Sequence, residues 1–154
     1  MTQLIHPDSP ALWETARTLV REYAASLNVS LDFQNFDEEL LHFEQEYAPP
    51  GGTFLLARQN IEFLACGAFR RFSETECEMK RLYVRPAGRN LGIGRQLAVV
   101  LITEAKALGY KRMLLDTLPT MQSAQSLYKS LGFEPTSPYR FNRIPGSAYL
   151  KLDL

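Results

Sequence analysis

The sequence predicts one mixed α/β domain, and three observations predict it. Apolar spacing alternates between helix-like and strand-like along the chain. The length of 154 residues is that of one ordinary domain. The Pro/Gly clusters fall between elements with no shift in composition, so residues 1–154 read as a single domain without repeat or linker.

The elements follow in order. Met1 to His6 is a short strand closed by Pro7. Asp8 or Ser9 can cap a helix that has Pro10 at its first position. Leu12, Ala16, Leu19, Val20, Tyr23 and Leu27 then recur at helical spacing on one face. A second amphipathic piece runs near Asp37 to Tyr47, with Leu40, Leu41 and Phe43, and Pro49-Pro50-Gly51-Gly52 stops it. Thr53–Ala57, Ile61–Phe72 and Thr75–Val84 read as strands joined by turns at Gln59-Asn60 and Ser73-Glu74, an antiparallel meander. Gly92–Leu108 is helical, with Ile93, Leu97, Val100, Leu101, Ala105 and Leu108 on one face and Gly109 at its C-terminal end. Met113-Leu114-Leu115 is a buried strand, Ser123–Leu131 a helix closed by Gly132, and Ala148–Leu152 a final period-2 strand.

Composition narrows the function. Hydrophobic residues make up 45% and charged residues 22%, which suits a globular protein with a full core. Seventeen basic and seventeen acidic residues cancel, so no general attraction to nucleic acid or an anionic membrane is expected. No apolar run approaches the roughly 18 residues of a membrane span. The N-terminus lacks a basic stretch followed by an apolar run, so a cytoplasmic location is expected. Cys66 and Cys77 are too few for a disulfide scaffold and lack metal spacing; they read as buried strand thiols, and no metal is implied.

The most informative stretch is Arg81-Leu82-Tyr83-Val84 followed by Arg89-Asn90-Leu91-Gly92-Ile93-Gly94-Arg95. A strand feeds a glycine-rich loop that opens a long helix. Glycine lets backbone N–H groups approach a ligand, and the first helical turn offers unpaired donors and the positive end of the dipole. Together these suit a phosphate, with Arg89 and Arg95 flanking. A P-loop fails, because Arg95 follows Gly94 where Lys-Ser/Thr is required. A dinucleotide fingerprint fails at Leu97, where its third glycine should stand, although Asp116 lies at roughly the distance of a ribose-binding acid.

The remaining pattern, R-x-x-G-x-G at Arg89–Gly94, resembles the acyl-CoA pyrophosphate loop of the GNAT N-acetyltransferase superfamily. Ala124-Gln125-Ser126-Leu127-Tyr128-Lys129-Ser130-Leu131-Gly132-Phe133 is similar to that family's A-x-x-L-Y-x-x-x-G-F element. The two motifs in this order, with a strand between them, carry the resemblance, and the matching element order spans nearly the whole chain. It implies a central mixed, mostly antiparallel, twisted sheet of about six to seven strands with helices on both faces. It also implies a bulged strand, splayed from its neighbour, where acetyl-CoA enters. The backbone of Leu82, Tyr83 and Val84 would then pair with pantetheine and the acetyl group, one N–H facing the thioester oxygen where charge develops. Arg89, Asn90, Leu91, Gly92, Ile93, Gly94 and Arg95 would hold the pyrophosphate. Tyr128 matches the family tyrosine that hydrogen-bonds the departing sulfur or gives it a proton. Glu78, four residues before Leu82, matches a glutamate that serves some members as general base. Read from the residues alone, it is equally an ordinary strand carboxylate paired with Lys80 or Arg71. Many relatives carry an asparagine where this chain has Met121, and Ser123 is the residue expected to replace its pantetheine contact.

Acceptor recognition falls to the variable first helices and the last hairpin. Phe33, Lys80, Arg81 and Arg140 suggest an amine that also carries a carboxylate, since guanidinium pairs bidentately with carboxylate. Glu38, Glu39, Glu44 and Glu46 could instead draw a polycation or form a solvated face. The function expected is acetyl transfer from acetyl-CoA to a primary amine of a small molecule by direct attack in a ternary complex. An acyl-CoA-sensing module, acetylation of a peptide or protein amine, and a different nucleotide binder built on the same loop are the competing readings. Dimers are common among relatives, which makes a homodimer a further expectation.

Overall fold

A continuous apolar run is what a strand needs when both faces of its sheet are covered, and Thr53–Ala57 is such a run, each residue at most 5% exposed. The computed structural model describes residues 1–27, 36–140 and 145–154. Strand β1 is Thr2–Ile5, helix α1 Pro10–Ser26, α2 Phe36–Leu41 and α3 Phe43–Tyr47. Strands β2 (Thr53–Gln59), β3 (Glu62–Arg71) and β4 (Glu76–Val84) follow. A 3-10 turn at Pro86–Gly88 leads to α4 (Ile93–Ala107), β5 (Arg112–Thr117), α5 (Gln122–Ser130), β6 (Glu134–Pro135) and β7 (Ala148–Asp153). The seven strands form one sheet in the order β1-β2-β3-β4-β5-β7-β6. Each described pairing is antiparallel except β4 with β5, which is parallel.

Local chemistry explains the elements. Ser9 caps α1 by accepting from the Leu12 N–H at 3.2 Å, with Pro10 behind it. The stripe Trp13, Ala16, Leu19 and Val20 is buried. The second amphipathic piece divides at His42 into two short helices, and this reverses two expectations. Leu41 points outward, 71% exposed, whereas Glu39 is only 2% exposed. Helix α4 buries Ile93, Leu97, Ala98, Leu101 and Ala105. Leu108, expected on that face, is the C-terminal cap and is 49% exposed. Gly109 follows with φ of 91°, a left-handed helix stop. The short β6 was not legible in the sequence, and β7 inserts between it and β5.

The sheet divides the core in two. Leu55, Phe69, Leu97, Leu101, Met113, Leu115, Tyr128 and Phe133 pack under α4 and α5. Trp13, Leu19, Phe43, Tyr47, Phe54 and Leu56 pack under α1–α3. Burying a side chain of this size contributes roughly 1.5–3 kcal/mol. Cys66 and Cys77 are buried free thiols, as the sequence suggested. Among the described residues no helix is long and apolar enough to cross a membrane.

Candidate functional site

Two irregularities of β4 create the site. First, β4 and β5 pair only at Glu76–Glu78 with Arg112–Leu114. Beyond these residues the two strands part and leave a V-shaped cleft. Second, Cys66 pairs with Tyr83 and Ala68 with Lys80, so Gly67 alone on β3 faces both Arg81 and Leu82 on β4. That two-against-one count is a β-bulge. Arg81 takes its extra-residue turn with φ of 60°, a left-handed conformation uncommon for a non-glycine residue. Gly67 is closely covered at the bulge: a Cβ there would meet Leu82 Cδ1 at 3.0 Å and Leu101 Cδ1 at 3.1 Å, and both side chains would have to give slightly.

Arg81 is held on several sides. Its guanidinium donates to the Glu39 carboxylate at 2.8 and 2.9 Å and lies 5.3 Å from the Phe36 ring centroid. Its carbonyl accepts from the Cys66 thiol at 3.3 Å. Burial opposes the charge on Glu39, but the hydrogen bonds and attraction from Arg81 outweigh it and lower the carboxyl below its ordinary range. The side chain of Arg81 is thus tied to Glu39 on α2, and Arg81 is among the residues that line the cleft.

The cleft holds about 540 Å³ of empty space, part of it open to solvent. Its walls include Lys80, Arg81 and Leu82 from β4, Asp116 and Thr117 from β5, and Met121 and Tyr128 from α5. Of the β4 residues expected at the acyl group, Leu82 lines the cleft. The Tyr83 side chain turns to α1, packing against Tyr23 and donating weakly to Glu22 at 3.5 Å. Val84 ends β4, and its carbonyl accepts from Arg89 Nε at 3.2 Å. Past the 3-10 turn, Arg89, Asn90, Leu91 and Gly92 are exposed. Gly92 starts α4 with φ of 76°, and no side chain caps the helix. No capping oxygen therefore occupies the N–H groups of the first turn at Ile93, Gly94 and Arg95, the kind of donor set that suits an anion. Arg95 is steered toward α5 by donating to Ser130 Oγ at 2.9 Å.

Tyr128 is 6% exposed at the wall of the cleft. Burial, with Tyr23 and Asp116 nearby, pushes its phenol above the ordinary value, so it remains a proton donor. Ser123 lies on an exposed face of α5 and not in the cleft lining, because the helix begins at Gln122 and turns it to solvent. The polar group on that wall is one the sequence did not flag: Thr117 Oγ1 is buried with no hydrogen-bond partner among the described residues. An orphaned buried hydroxyl costs about 1–3 kcal/mol, so this one suits a donor or acceptor brought by a ligand.

On the α1–α3 side of the sheet lies a charged layer. Glu78 is fully buried and accepts from Tyr139 Oη at 2.9 Å and from Arg140; Arg70 Nε stands 3.6 Å away. The partner expected at Arg71 is elsewhere: its guanidinium donates to the Ser73 and Glu74 carbonyls and stacks over Tyr110. Arg70 also reaches Glu46 at 3.1 Å and Glu39 at 3.7 Å, which places two of the four α2–α3 glutamates in this network. Lys80 is 5% exposed. Burial, then the charge of Arg81, lowers its ammonium to about 7, with Arg70 and Arg140 adding and Glu78 opposing. Arg140 keeps a buried Nε without a partner among the described residues. Phe33 lies outside the described residues.

Comparison with known proteins agrees with this geometry. Residues 13–133 match the model of the acetyltransferase (GNAT) family. An uncharacterised N-acetyltransferase of Schizosaccharomyces pombe is 44% identical over 140 residues, covering 90% of this chain and 86% of its own. A GNAT-family acetyltransferase structure from Staphylococcus aureus superposes with a TM-score of 0.82 at 21% identity, over 99% of each chain. A Salmonella typhimurium structure described as a putative acetyltransferase with its cofactor acetyl-CoA superposes with a TM-score of 0.71 at 20% identity, over 99% of this chain and 94% of its own.

Proposed function

The chain belongs to the acetyltransferase (GNAT) family, and on that premise we propose that it acetylates a primary amine of a small molecule with acetyl-CoA as co-substrate. The observation that carries the reading is the V between β4 and β5 beside the bulge at Arg81, together with the uncapped first turn of α4 that follows β4 in the chain. The orphaned Thr117 hydroxyl and the unpaired edge of β4 are the polar groups a pantetheine arm would satisfy. The first turn from Ile93 to Arg95, with Asn90, Leu91 and Gly92 before it, would take the pyrophosphate, and Arg89 and Arg95 would flank it. Acetyl-CoA supplies the activated acetyl group.

The chain's own residues do the rest. Beside the bulge, the Leu82 N–H would face the oxygen on which charge develops; a fixed donor at that position is worth about 2.7–4 kcal/mol of barrier. Tyr128, kept protonated by burial, would hydrogen-bond the departing sulfur and pass a proton to it. Glu78 has both carboxylate oxygens engaged, by Arg140 and Tyr139. Its part in this reading is to order those two residues on the acceptor side. The charged layer of Lys80, Arg70 and Arg140 favours an amine that also bears a carboxylate, such as an amino acid.

The test is thermal unfolding with acetyl-CoA, CoA, NAD and ATP in parallel, followed by an amine screen for CoA release. A ligand at 100 times its Kd adds about 2.7 kcal/mol of stability, a shift of several degrees for a domain of this size. Stabilisation by both CoA species but not by NAD or ATP, and CoA release that Tyr128→Phe slows, are expected. No shift with either CoA species in a folded sample overturns the reading.

A further inference from the structure

We infer that the two lips of the cleft bind the two ends of a zwitterionic acceptor, Asp116 taking its ammonium and Lys80 its carboxylate. This rests on the acetyl-transfer reading above and names the acceptor class. The register places the pair. Glu78 and Leu114 are the last partners before β4 and β5 separate. Lys80 and Asp116 each stand two residues further on, so both side chains emerge on the same sheet face as Glu78, across the opening from one another. Both line the cleft. That face is the α1–α3 side, opposite the one where Tyr128 and Leu115 pack under α5.

The surroundings of each lip fit its charge. Burial, and after it the charge of Arg81, lowers the Lys80 ammonium to about 7, with Glu78 opposing and Arg70 and Arg140 adding to the repulsion. An entering carboxylate offsets that repulsion and favours the charged lysine. The β5 lip is different in kind. Asp116 pairs across the sheet with Tyr149, whose ring lies 5.4 Å from that of Tyr139. A carboxylate among phenol rings suits an ammonium, because the ring faces carry negative charge. A doubly cationic amine would set a second cation against Lys80, and a plain alkyl amine would bring it no carboxylate.

The transfer balances on these groups. The ammonium gives one proton to Asp116, from which it passes to water. The freed nitrogen forms the C–N bond to the acetyl carbon. The C–S bond breaks with its electron pair on sulfur, and the second nitrogen proton reaches that sulfur by way of Tyr128. The products are the N-acetylated acid and CoA thiol.

The experiment measures CoA release from acetyl-CoA with the twenty amino acids and with amines lacking the carboxylate, such as ethylamine against alanine and isopentylamine against leucine. Calorimetric titration of the active amino acids into the CoA-bound protein accompanies it. Wild type is expected to favour at least one amino acid over its carboxylate-free amine by about 100-fold in kcat/KM. Lys80→Met removes that preference and the binding heat, its loss falling far more on the amino acid than on the amine, and Lys80→Arg recovers part of both. Asp116→Asn lowers the rate for both acceptor types. Each variant is first melted with acetyl-CoA, so that folding and co-substrate binding are read separately. Equal rates for acids and amines, an equal loss of both in Lys80→Met, or acetyl-CoA stabilisation with transfer to no amino acid overturns the inference and leaves the acetyl-transfer reading standing. Absence of acetyl-CoA stabilisation in wild type overturns both.

Discussion

Arg81 donates two hydrogen bonds to the Glu39 carboxylate from a backbone held at φ of 60°, and side chains of both residues are at most 3% exposed. The pair joins α2 to the residue at which β4 bulges. Losing either partner would leave a buried charge and release the bulge.

Glu39→Gln should therefore lower stability by about 3–5 kcal/mol, read from urea midpoints. The double variant Glu39→Leu with Arg81→Met should lose less than either charge-removing single variant, because no ion is left stranded. Weaker acetyl-CoA binding should accompany the single variant even where it stays folded. Unchanged affinity in a stable Glu39→Gln protein would separate the pair from the bulge.

Thr117→Val is expected to act in opposite directions on the two states. Removing an orphaned hydroxyl should raise the stability of the unliganded protein by about 1 kcal/mol. The same change should weaken acetyl-CoA binding roughly fivefold, the worth of one hydrogen bond. Melting curves with and without acetyl-CoA would check both.

Gly92→Ala should cost about 1–2 kcal/mol, because alanine resists the left-handed conformation that Gly92 adopts at φ of 76°. No atom lies within 4 Å of a Cβ placed there, so the cost is conformational and not steric. Calorimetry should report weaker binding of CoA, and inorganic pyrophosphate should compete less well.

The buried thiols set an alkaline limit. Burial pushes Cys66 and Cys77 up from 9.0 to about 12. Below pH 9.0 both states keep the protonated thiols and their contribution is fully present; between 9.0 and about 12 the unfolded chain ionises first and stability is lost. Urea midpoints of wild type should fall faster from pH 8 to pH 10.5 than those of a Cys66→Ala, Cys77→Ala protein. Parallel curves would show that other groups carry the alkaline loss.

Local signals made most of the fold legible. Ser9-Pro10 announced α1, Gly92 and Gly109 bracketed α4, and the alternating runs around Asn60 and Ser73 gave the meander, because caps, turns and periodicity are properties of neighbouring residues. The glycine loop and Tyr128 were legible for the same reason, as a motif of fixed spacing. Tertiary structure alone decided what the charges do. Glu39 lies 42 residues from Arg81, and Glu78 lies 62 from Arg140. Partners so distant in sequence are chosen only when the sheet and helices stack, and burial then makes an unpaired alternative too costly. The places of Thr117, Lys80 and Asp116 on the cleft were decided in the same way. They follow from where β4 and β5 stop pairing, a register set by the packing of two helical layers on one sheet.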